Sequence, residues 1–445
     1  MRYQTIVVGG GTTGVCAAIA AARGGAQVLL VELNGFLGGN AANGLAWLGF
    51  HSLDGRQMVG GLPWEIITRL QAMGGATDFQ DDPICGSCVG VDPTLLKILL
   101  HRMVRESGVT VRLHSMFSSV RALPDGWEVT LCEKQGMVKI EADVVIDCTD
   151  TGDVAASAGA SLRFGRDTDG KPQISSVVLR VGGVDMDAFC GYFQNHPDQL
   201  RPFPLTDAQQ RFLVGGMREA PVFVMGAFPN LIAKAHADGL SYPRDRLIGT
   251  GNARTGELTL VASRVEGVNP NNTMNHTAAE MDGLEQTMGI MRLLWKYLPG
   301  CERARLLSAG HSIGVRETRH LEGRYWLTGY DLMTAKAFED TIAHGAYHLD
   351  VHSPDHHGLE TRKPKPYSVP FRICQPVGMD RLLVAGRVVS GDQAAESSIR
   401  VIPILGAIGQ ACGTAAAMSL GTGASTNAVD IQALQAKLKM DGAII

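Results

Sequence analysis

Three glycines near the start of the sequence have the spacing of a phosphate-binding turn. Gly9, Gly11 and Gly14 form the pattern G-x-G-x-x-G between a strand pattern at residues 3–8 and a small-residue helix pattern at residues 13–24. The first glycine permits a tight turn, the second lets a pyrophosphate approach the backbone, and the third lets helix and strand pack closely. The helix N-terminus then faces the anion. These residues favour the binding of a dinucleotide.

An acidic residue and a second glycine-rich stretch follow this turn. Glu32 ends a strand pattern at residues 27–32, where an acid can accept hydrogen bonds from ribose hydroxyls, and it disfavours the 2′-phosphate of NADP. Residues 35–44 (GFLGGNAANG) would let the backbone pass close to a long ligand, such as the remainder of FAD. The ligand set predicted at the two turns is Gly9, Gly11, Thr12, Thr13, Gly14, Glu32, Leu33, Gly38, Gly39 and Asn40.

A C-x-x-C pair offers a different chemistry. Cys85 and Cys88 could relay electrons through a disulfide, because close thiols of lowered pKa exchange readily. The pair follows a Gly/Asp-rich loop and precedes a helix pattern that begins at Asp92, so two bystander thiols are the commoner outcome. Within the sequence there is no second C-x-x-C to complete a four-cysteine metal site.

A histidine-rich stretch suggests metal binding, but its pattern argues against a site. The five histidines are His344, His348, His352, His356 and His357. The residues between them, 350–351 and 353–354, favour extended or turn structure, which breaks the helical spacing that two ligands would need. We therefore predict no metal site.

The elements that must position these residues alternate strand and helix near the amino terminus. Asp92 and Pro93 predict an N-cap and first turn for a helix that runs through Ser107. The other strand patterns are residues 110–114, 127–131, 137–140, 143–147, 176–181 and 381–385. The other helix patterns are residues 276–297 and a Gly/Ala-rich segment that ends near Leu420.

Five longer segments resemble the family of FAD-dependent oxidoreductases with a glutathione-reductase-type flavin domain. They are residues 29–61, 91–115, 144–160, 313–328 and 382–417. The resemblance implies bound FAD and an α/β fold. It also implies a Rossmann-like FAD-binding domain built from both chain ends, residues 1–160 and 370–445, with an inserted α+β substrate domain at residues 161–369.

The resemblance places further residues near the flavin. It implies that the turn after residues 147–149 lies near the FAD phosphates, although Asp150 and Thr151 replace the ATG-type glycine of many relatives. It also implies that the helix from about Ile402 directs its N-terminus at the flavin N1–C2=O edge, where a positive dipole stabilises the anionic reduced flavin. The residues added in this way are Phe117, Thr149, Gly152, Asp153, Gly386, Asp392, Arg400 and Ile402.

The resemblance also selects residues that could serve a substrate. Bidentate arginine favours carboxylates, and histidine can accept a proton near neutral pH. The commoner fates are a salt bridge for an arginine and a hydrogen-bonded loop position for a histidine. The candidates that it selects are His51, His311, Arg316, Arg319 and Arg372, with Arg400 just ahead of the last helix. The histidine-rich stretch could also line the substrate cavity, and it adds His352.

Composition and charge exclude several classes of protein. A net charge of −4 and a pI near 6.4 disfavour nucleic-acid or anionic-membrane partners. The apolar stretch at residues 401–418 contains three glycines and a glutamine, which indicates a buried helix. The amino terminus lacks a signal-peptide pattern and the nine cysteines follow no disulfide framework, so we expect a cytoplasmic location.

These patterns predict an FAD-dependent dehydrogenase or reductase that transfers a hydride between a small polar organic molecule and flavin N5. No second G-x-G-x-x-G lies between a strand and a helix pattern, so we expect an external electron acceptor or donor. Self-association into a homo-oligomer stays open. The alternatives are a thiol–disulfide flavoprotein using Cys85 and Cys88, a lyase or hydratase with structural FAD, and a non-catalytic flavin-binding protein.

Overall fold

The computed structural model describes residues 1–200, 206–355 and 360–445. The strands of these residues are β1 (Arg2–Val8), β2 (Val28–Val31), β3 (Trp47–Leu48), β4 (Gln80–Asp82), β5 (Gly86–Val89), β6 (Thr110–Arg112), β7 (Met116–Leu123), β8 (Gly126–Glu133), β9 (Gly136–Asp147), β10 (Leu162–Phe164), β11 (Leu179–Gly182), β12 (Phe223–Ala227), β13 (Leu247–Asn252), β14 (Glu257–Leu260), β15 (Arg305–Ala309), β16 (Arg319–Leu321), β17 (Thr341–Gly345), β18 (Leu349–Val351), β19 (Glu360–Arg362), β20 (Tyr367–Pro370) and β21 (Leu382–Val384).

The helices follow the same numbering in chain order. They are α1 (Thr12–Arg23), α2 (Gly61–Ala72), α3 (Pro93–Glu106), α4 (Asp153–Ala158), α5 (Met186–Asn195), α6 (Asp207–Gly216), α7 (Pro229–Ala237), α8 (Thr273–Tyr297), α9 (Gly329–Met333), α10 (Gln393–Ile399), α11 (Ile402–Thr422) and α12 (Ile431–Met440). Asp92 caps α3 by accepting a hydrogen bond from the backbone N–H of Leu95, which confirms the predicted helix start.

The main sheet is mostly parallel and explains the apolar strands near the amino terminus. Its order is β6-β2-β1-β9-β8-β7, with β21 also paired to β9. Strands β1, β2, β6 and β21 run parallel to β9, whereas β7 and β8 form an antiparallel extension. All four residues of β2 are buried, as expected for a strand covered on both faces. This Rossmann-like sheet confirms the predicted α/β fold class.

Strand β9 joins two segments that the sequence pattern separates. Residues 137–140 and 143–147 belong to one continuous strand. Its first part pairs with β8, from Gly136 to Ala142, and its last part pairs with β21, from Val145 to Asp147. The strand is continuous although its partner changes from β8 to β21. The change of partner is a tertiary contact that the local sequence does not encode, and the sequence pattern therefore predicts two strands.

Helices α1 and α11 pack closely because each presents small residues to the other. A Cβ on Gly409 would lie 2.2 Å from the carbonyl oxygen of Thr13, and a Cβ on Gly413 would lie 2.1 Å from that of Ala17. By length and composition α11 could cross a membrane, with a mean hydropathy of 1.3, but 83% of that stretch is buried inside the protein. The helix is therefore a component of the protein core.

The middle of the chain forms an antiparallel sheet with its own apolar cluster. The sheet order is β12-β13-β14-β11-β15, and Phe189, Phe193 and Phe228 are among its buried core residues. Strand β11 begins at Leu179 rather than at the predicted Ser176, because Ser176 forms an isolated bridge with Gly314 instead. Strands β17 and β20 contribute to the large core shared with both chain ends. The domain boundaries at residues 160 and 370 stay a prediction.

Candidate functional site

The glycine turn joins β1 to α1 in a form that fits a diphosphate. Gly9 has a φ of +105° and its Cβ would lie 2.2 Å from the carbonyl oxygen of Cys148, while a Cβ on Gly14 would lie 1.8 Å from that of Gly9. By contrast, a Cβ on Gly11 would meet no described atom within 4 Å. Gly9 and Gly14 are therefore needed for packing, and Gly11 leaves open space at the N-terminus of α1, where an anion is favoured.

The second glycine segment lies directly beside this turn. Gly38 donates a backbone hydrogen bond to Gly10 at 2.8 Å and forms a parallel bridge with Gly11. Glu32 is buried and already accepts hydrogen bonds from the backbone N–H groups of Gly10, at 2.6 Å, and Asn34, at 2.7 Å. The carboxylate thus shapes both turns, and its contact with a ribose stays a prediction.

The end of β9 is held by an internal network. Thr149 donates through its hydroxyl to Asp147 at 2.7 Å and accepts from the backbone N–H of Asp153 at 2.9 Å. Asp153 in turn pairs with Arg319. Gly152 has a φ of +70° and precedes α4. These contacts build the turn, so the predicted phosphate contacts of Thr149, Gly152 and Asp153 stay predictions.

An ion pair beside β21 was missed by the sequence interpretation. Asp150, with a φ of +64°, pairs with Arg387 at 3.0 Å. Gly386 allows this arrangement, because a Cβ there would lie 2.6 Å from the Asp150 carboxylate. Both charged residues line the cavity described next. The replacement of a family glycine by Asp150 therefore introduces a cavity residue that the resemblance alone gave no reason to expect.

One cavity of about 340 Å³ connects the two turns with the candidate substrate residues. Its walls include residues 11–13, residues 38–41 and the start of α11. The predicted residues that line it are Gly11, Thr12, Thr13, Gly38, Gly39, Asn40, Arg316, His352, Arg400 and Ile402, together with Cys85 of the thiol–disulfide alternative. Apolar side chains on or next to the strands of the antiparallel sheet also line it, among them Val178, Val224, Ile248 and Val261. The cavity thus extends from the two glycine turns to a partly apolar chamber.

Two arginines share one hydroxyl group at the edge of this cavity. Ser176 accepts a hydrogen bond from Arg316 at 2.9 Å and another from Arg244 at 3.0 Å. Arg316 also donates to the backbone oxygen of Ile174 at 2.8 Å, and Arg244 donates to that of Ser263. Burial lowers the pKa of Arg244 to about 10, so it remains charged near neutral pH. Arg244 and Ser176 had no motif by which the sequence could reveal them.

His352 and Asp350 form a buried pair on the same wall. The Nε2 atom of His352 lies 3.2 Å from an Asp350 carboxylate oxygen, and His352 is only 5% exposed. Burial opposes ionisation of Asp350, but contacts with His352 and His348 outweigh it and keep the pKa of this carboxyl well below its usual range. Because a carboxylate only accepts hydrogen bonds, Nε2 carries the proton.

The second ring nitrogen of His352 is therefore an unprotonated acceptor. Within the described part of the chain, no hydrogen-bond partner reaches its Nδ1. Burial, and then the positive charge of Arg316, lower the pKa of His352 to about 3. The imidazole is therefore neutral near neutral pH, with an unused lone pair and a ring oriented by a carboxylate; at this pKa it is a weak base until the positive charge beside it is balanced.

A buried carboxyl group lies behind His352. Gln173 accepts from the backbone N–H of His352 at 3.0 Å and donates to Glu396 at 3.0 Å. The other Glu396 oxygen has no hydrogen-bond partner among the described residues. Burial raises the pKa of Glu396 to about 7, so this group changes charge near neutral pH.

Two predicted histidines lie outside the cavity lining. His51 bonds to Ser87 at 3.0 Å and contacts the edges of Trp64 and Phe79. His311 bonds to Asn43 at 2.9 Å. Both occupy hydrogen-bonded loop positions, which the sequence analysis gave as the commoner fate of a histidine. The structure gives no support to their predicted catalytic roles.

Two predicted arginines are likewise engaged elsewhere. Arg319 pairs with Asp153, and Arg372 makes two hydrogen bonds of 3.0 Å to Asp340. Neither lines the cavity. Their proximity in sequence to the matched motifs did not reveal which carboxylate each would meet. The structure gives no support to a substrate contact for either of them.

Some predicted cofactor residues also lie away from the cavity lining. Asp392 caps α10 by accepting from Ala395 at 2.7 Å and also accepts from Gly329 at 3.0 Å. Phe117 packs on the apolar cluster of β7 to β9. The other predicted residues outside the lining are Gly9, Gly14, Glu32, Leu33, Thr149, Gly152, Asp153 and Gly386. For Asp392 the helix cap supplies a structural reason for the residue.

The cysteine pair lacks the features of a redox-active dithiol, and the described histidines belong to no metal-binding group. Cys85 and Cys88 are buried free thiols, and burial, followed by the nearby Asp82 carboxylate, raises the pKa of both thiols well above its usual range. A low thiolate population disfavours disulfide exchange. Across residues 1–200, 206–355 and 360–445, no group of three His, Cys, Asp or Glu could hold a metal ion. His356 and His357 lie outside the described residues.

A parallel sheet whose glycine turn faces a cavity at a helix N-terminus defines a dinucleotide-binding class of enzyme. The model of the FAD dependent oxidoreductase family matches residues 4–438 of this chain. The chain therefore belongs to the FAD-dependent oxidoreductase family, and the predicted cofactor, FAD, is confirmed. A comparison with curated proteins finds no match.

Solved structures with a similar fold include named flavoenzymes. The p-nitrophenol 4-monooxygenase of Pseudomonas putida DLL-E4 is 10% identical, with a TM-score of 0.50 over 95% of this chain and 82% of that one. The geranylgeranyl bacteriochlorophyll reductase-like protein of Thermoplasma acidophilum is 14% identical, with a TM-score of 0.47 over 99% and 83%. Aklavinone-11 hydroxylase, solved with FAD and aklavinone, is 13% identical, with a TM-score of 0.46 over 94% and 63%. At these identities the first likeness shows the fold alone.

Proposed function

We propose that this FAD-dependent oxidoreductase oxidises or reduces a small polar organic molecule inside the cavity. The observation that carries the proposal is the continuity of one cavity from Gly11 to Arg316 and His352. When bound, FAD exchanges a hydride with an organic substrate at flavin N5. The open N-terminus of α1 would hold the diphosphate, and the N-terminus of α11 would favour negative charge beside the flavin. We assign the flavin domain to the glutathione-reductase type on the sequence resemblance.

The side chains of the cavity supply binding and proton transfer. Arg316 lines the cavity, and its guanidinium group can orient a polar substrate. In an oxidation, Nδ1 of His352 accepts the substrate proton while the hydride leaves the substrate carbon. Asp350 holds the imidazole through Nε2 and stabilises the charged ring that results. In the reverse direction the same nitrogen returns the proton.

Anaerobic flavin bleaching tests this function. Small acids, sugars and alcohols are added to the oxygen-free holoenzyme, and loss of the absorption band near about 450 nm reports reduction of the flavin. We expect at least one of these substrates to bleach the flavin. Turnover without bleaching would instead favour the lyase or hydratase reading. Labelled oxygen from O₂ in the product would favour monooxygenation, the reaction named for the similar p-nitrophenol 4-monooxygenase, over a dehydrogenase or reductase.

Replacement of His352 tests the proton-transfer role. His352→Asn should slow flavin reduction by about 100-fold or more, because a positioned base contributes about 10²- to 10⁴-fold, while substrate affinity stays near that of the wild type. His236→Asn is the matched control, since His236 bonds to the backbone oxygen of Tyr242. Rapid-mixing absorbance gives both quantities. An unchanged rate in His352→Asn would contradict the assignment.

The proposal also includes a cytoplasmic location and an external electron acceptor or donor.

Replacing Cys85 and Cys88 with serine distinguishes the proposed function from the thiol–disulfide alternative. We expect flavin reduction to persist in the double variant, because both thiols have a raised pKa. Loss of turnover with retained substrate-driven bleaching would restore the dithiol reading.

A further inference from the structure

The charge around Arg316 is not balanced by the protein. Arg316 and Arg244 make hydrogen bonds to a hydroxyl group and to backbone oxygens, which are neutral acceptors. Among the described residues, no carboxylate lies within ion-pairing distance of either guanidinium. Arg400, the third arginine here, takes the available carboxylate, Asp350, at 3.4 Å. Three guanidinium groups therefore face one carboxylate, an excess of two positive charges.

This arrangement is unfavourable unless an anion joins it. Burial, and then the positive charges of Arg244 and Arg400, lower the pKa of Arg316 well below its usual range. An uncompensated buried charge is strongly destabilising, whereas a carboxylate can meet a guanidinium through two parallel hydrogen bonds. Of the two paired arginines, Arg316 lines the cavity and Arg244 stands behind it, joined through Ser176. The geometry offers one place for one anionic group.

Apolar side chains make up much of the chamber wall on the side of the antiparallel sheet, beside the hydroxyl groups of Thr250 and Thr259. Val178 belongs to the segment before β11, and Val224, Ile248 and Val261 come from or follow the strands of the antiparallel sheet. Such walls gain by burying apolar surface and offer few hydrogen bonds to a sugar or a polyol. The body of a ligand in this chamber should therefore be apolar, with its polar group confined to the arginine end.

We propose that the substrate of this site is a monocarboxylic acid with an apolar body, whose carboxylate binds Arg316. The proposal deepens the proposed function and rests on it for the identification of the ligand as a substrate. Arg316 holds the carboxylate, Arg244 adds positive charge from behind, and the apolar walls enclose the remainder. Binding would also neutralise the charge beside His352 and so raise its readiness to accept a proton.

Calorimetric titration of the FAD-loaded protein tests the ligand class without turnover. The probes are benzoate, 3-phenylpropionate, benzamide and acetate. We expect the better aromatic acid to bind about 10- to 100-fold more tightly than benzamide, because benzamide lacks the charge that pairs with Arg316. The affinity of the better aromatic acid should also exceed that of acetate by about tenfold or more, because acetate is too small to contact the apolar walls. Equal binding of acid and amide, or no binding of either aromatic acid, would overturn the proposal.

Two variants of Arg316 make the test specific. Arg316→Gln should weaken binding of the aromatic acid by about 10- to 100-fold and leave the affinity for benzamide unchanged. The affinity of Arg316→Lys for the acid should lie between those of Arg316→Gln and the wild type. Arg324→Gln is the matched control, because Arg324 bonds to the backbone oxygen of Asn427 outside the cavity. If Arg316→Gln does not fold, Arg316→Lys alone decides the result. Undiminished acid binding in the folded variants would overturn the proposal.

The outcomes separate this inference from the proposed function. The aromatic acids could bind through Arg316 while none of the tested substrates reduces the flavin. This result would support the proposed ligand class and refute the redox role. Flavin bleaching by neutral alcohols, with no binding of aromatic acids, would sustain the redox role and refute the ligand class. Because FAD is present in every titration, acid binding that is lost in Arg316→Gln also shows that the flavin diphosphate does not already occupy Arg316.

Discussion

At the scale of single residues, the glycine turn separates packing from ligand binding. Gly9 and Gly14 are confined by backbone atoms, whereas Gly11 has open space where a Cβ would point. The Gly11→Ala variant should therefore keep the stability of the apoprotein within about 0.5 kcal/mol. Its affinity for FAD should fall by about tenfold or more, because the methyl group enters the space that the diphosphate needs.

Fluorescence titration of the apoprotein with FAD measures this affinity. Gly191→Ala is the control, because Gly191 also has no described neighbour within 4 Å of its Cβ position and lies on α5, away from the turn. Equal FAD affinities in the two variants would show that Gly11 does not approach the cofactor.

Glu396 gives the protein a pH-dependent stability whose sign follows from its burial. Its pKa in the folded protein is about 7, above the usual 4.5, so the folded state favours the protonated form. The contribution of protonated Glu396 to the free energy of unfolding is complete below the pKa of the unfolded state, and it is lost as the pH rises through about 7. Glu396→Gln mimics the neutral form. Its free energy of unfolding relative to the wild type should therefore rise by about 2–3 kcal/mol between about pH 5 and pH 8.

Urea unfolding at the two pH values measures this change. Glu285→Gln, at an exposed position on α8, is the control and should show no such trend. A pH-independent difference between Glu396→Gln and the wild type would mean that Glu396 is ionised in the folded protein throughout.

The predictability of the site also differs from residue to residue. The glycine turn could be predicted because its signal is local: spacing, strand and helix lie within one short stretch. Arg316 and Arg319 differ by three positions, yet one lines the cavity and the other pairs with Asp153. That difference depends on contacts with distant parts of the chain, and a single sequence carries no local signal for it.

At the scale of elements, the contact between α1 and α11 depends on a missing side chain. Gly413→Ala would place a Cβ 2.1 Å from the backbone oxygen of Ala17, which cannot rotate away. One helix must shift, so we expect a loss of about 1–3 kcal/mol in the free energy of unfolding. Gly421→Ala lies on the same helix with no described neighbour within 4 Å, and should be neutral or gain up to about 1 kcal/mol.

Urea unfolding of both variants tests the element contact. A Gly413→Ala variant as stable as Gly421→Ala would show that the two helices can separate without loss.

The elements themselves were largely predictable where their signals are local. Asp92 and Pro93 identify the start of α3 because the cap and the first-turn proline are neighbours in the sequence. Strand β9 was divided in two because its change of partner from β8 to β21 is a tertiary event. Strand β11 was predicted to start early because the bridge of Ser176 to Gly314 leaves the ladder before the regular pairing begins.

At the scale of the whole molecule, FAD should act as a structural ligand as well as a cofactor. A ligand that binds the folded state stabilises it by about 2.7 kcal/mol at a concentration of about 100 Kd. For a chain of 445 residues this corresponds to a rise in Tm of about 3 °C. Scanning calorimetry with increasing FAD measures the shift, and Gly11→Ala should require more FAD to reach it. A Tm indifferent to FAD would contradict specific binding to the folded protein.

The seating of α11 against α1 also fixes an order of events during protein synthesis. The ribosome completes α11 long after α1 has emerged, so the small-residue surface of α1 waits uncovered while most of the polypeptide is translated. Once α11 has been translated, packing against α1 removes its apolar surface from water. The nucleotide-binding half therefore matures after translation of this helix, and a nascent chain arrested before Ile402 would expose surface of the kind that chaperones recognise.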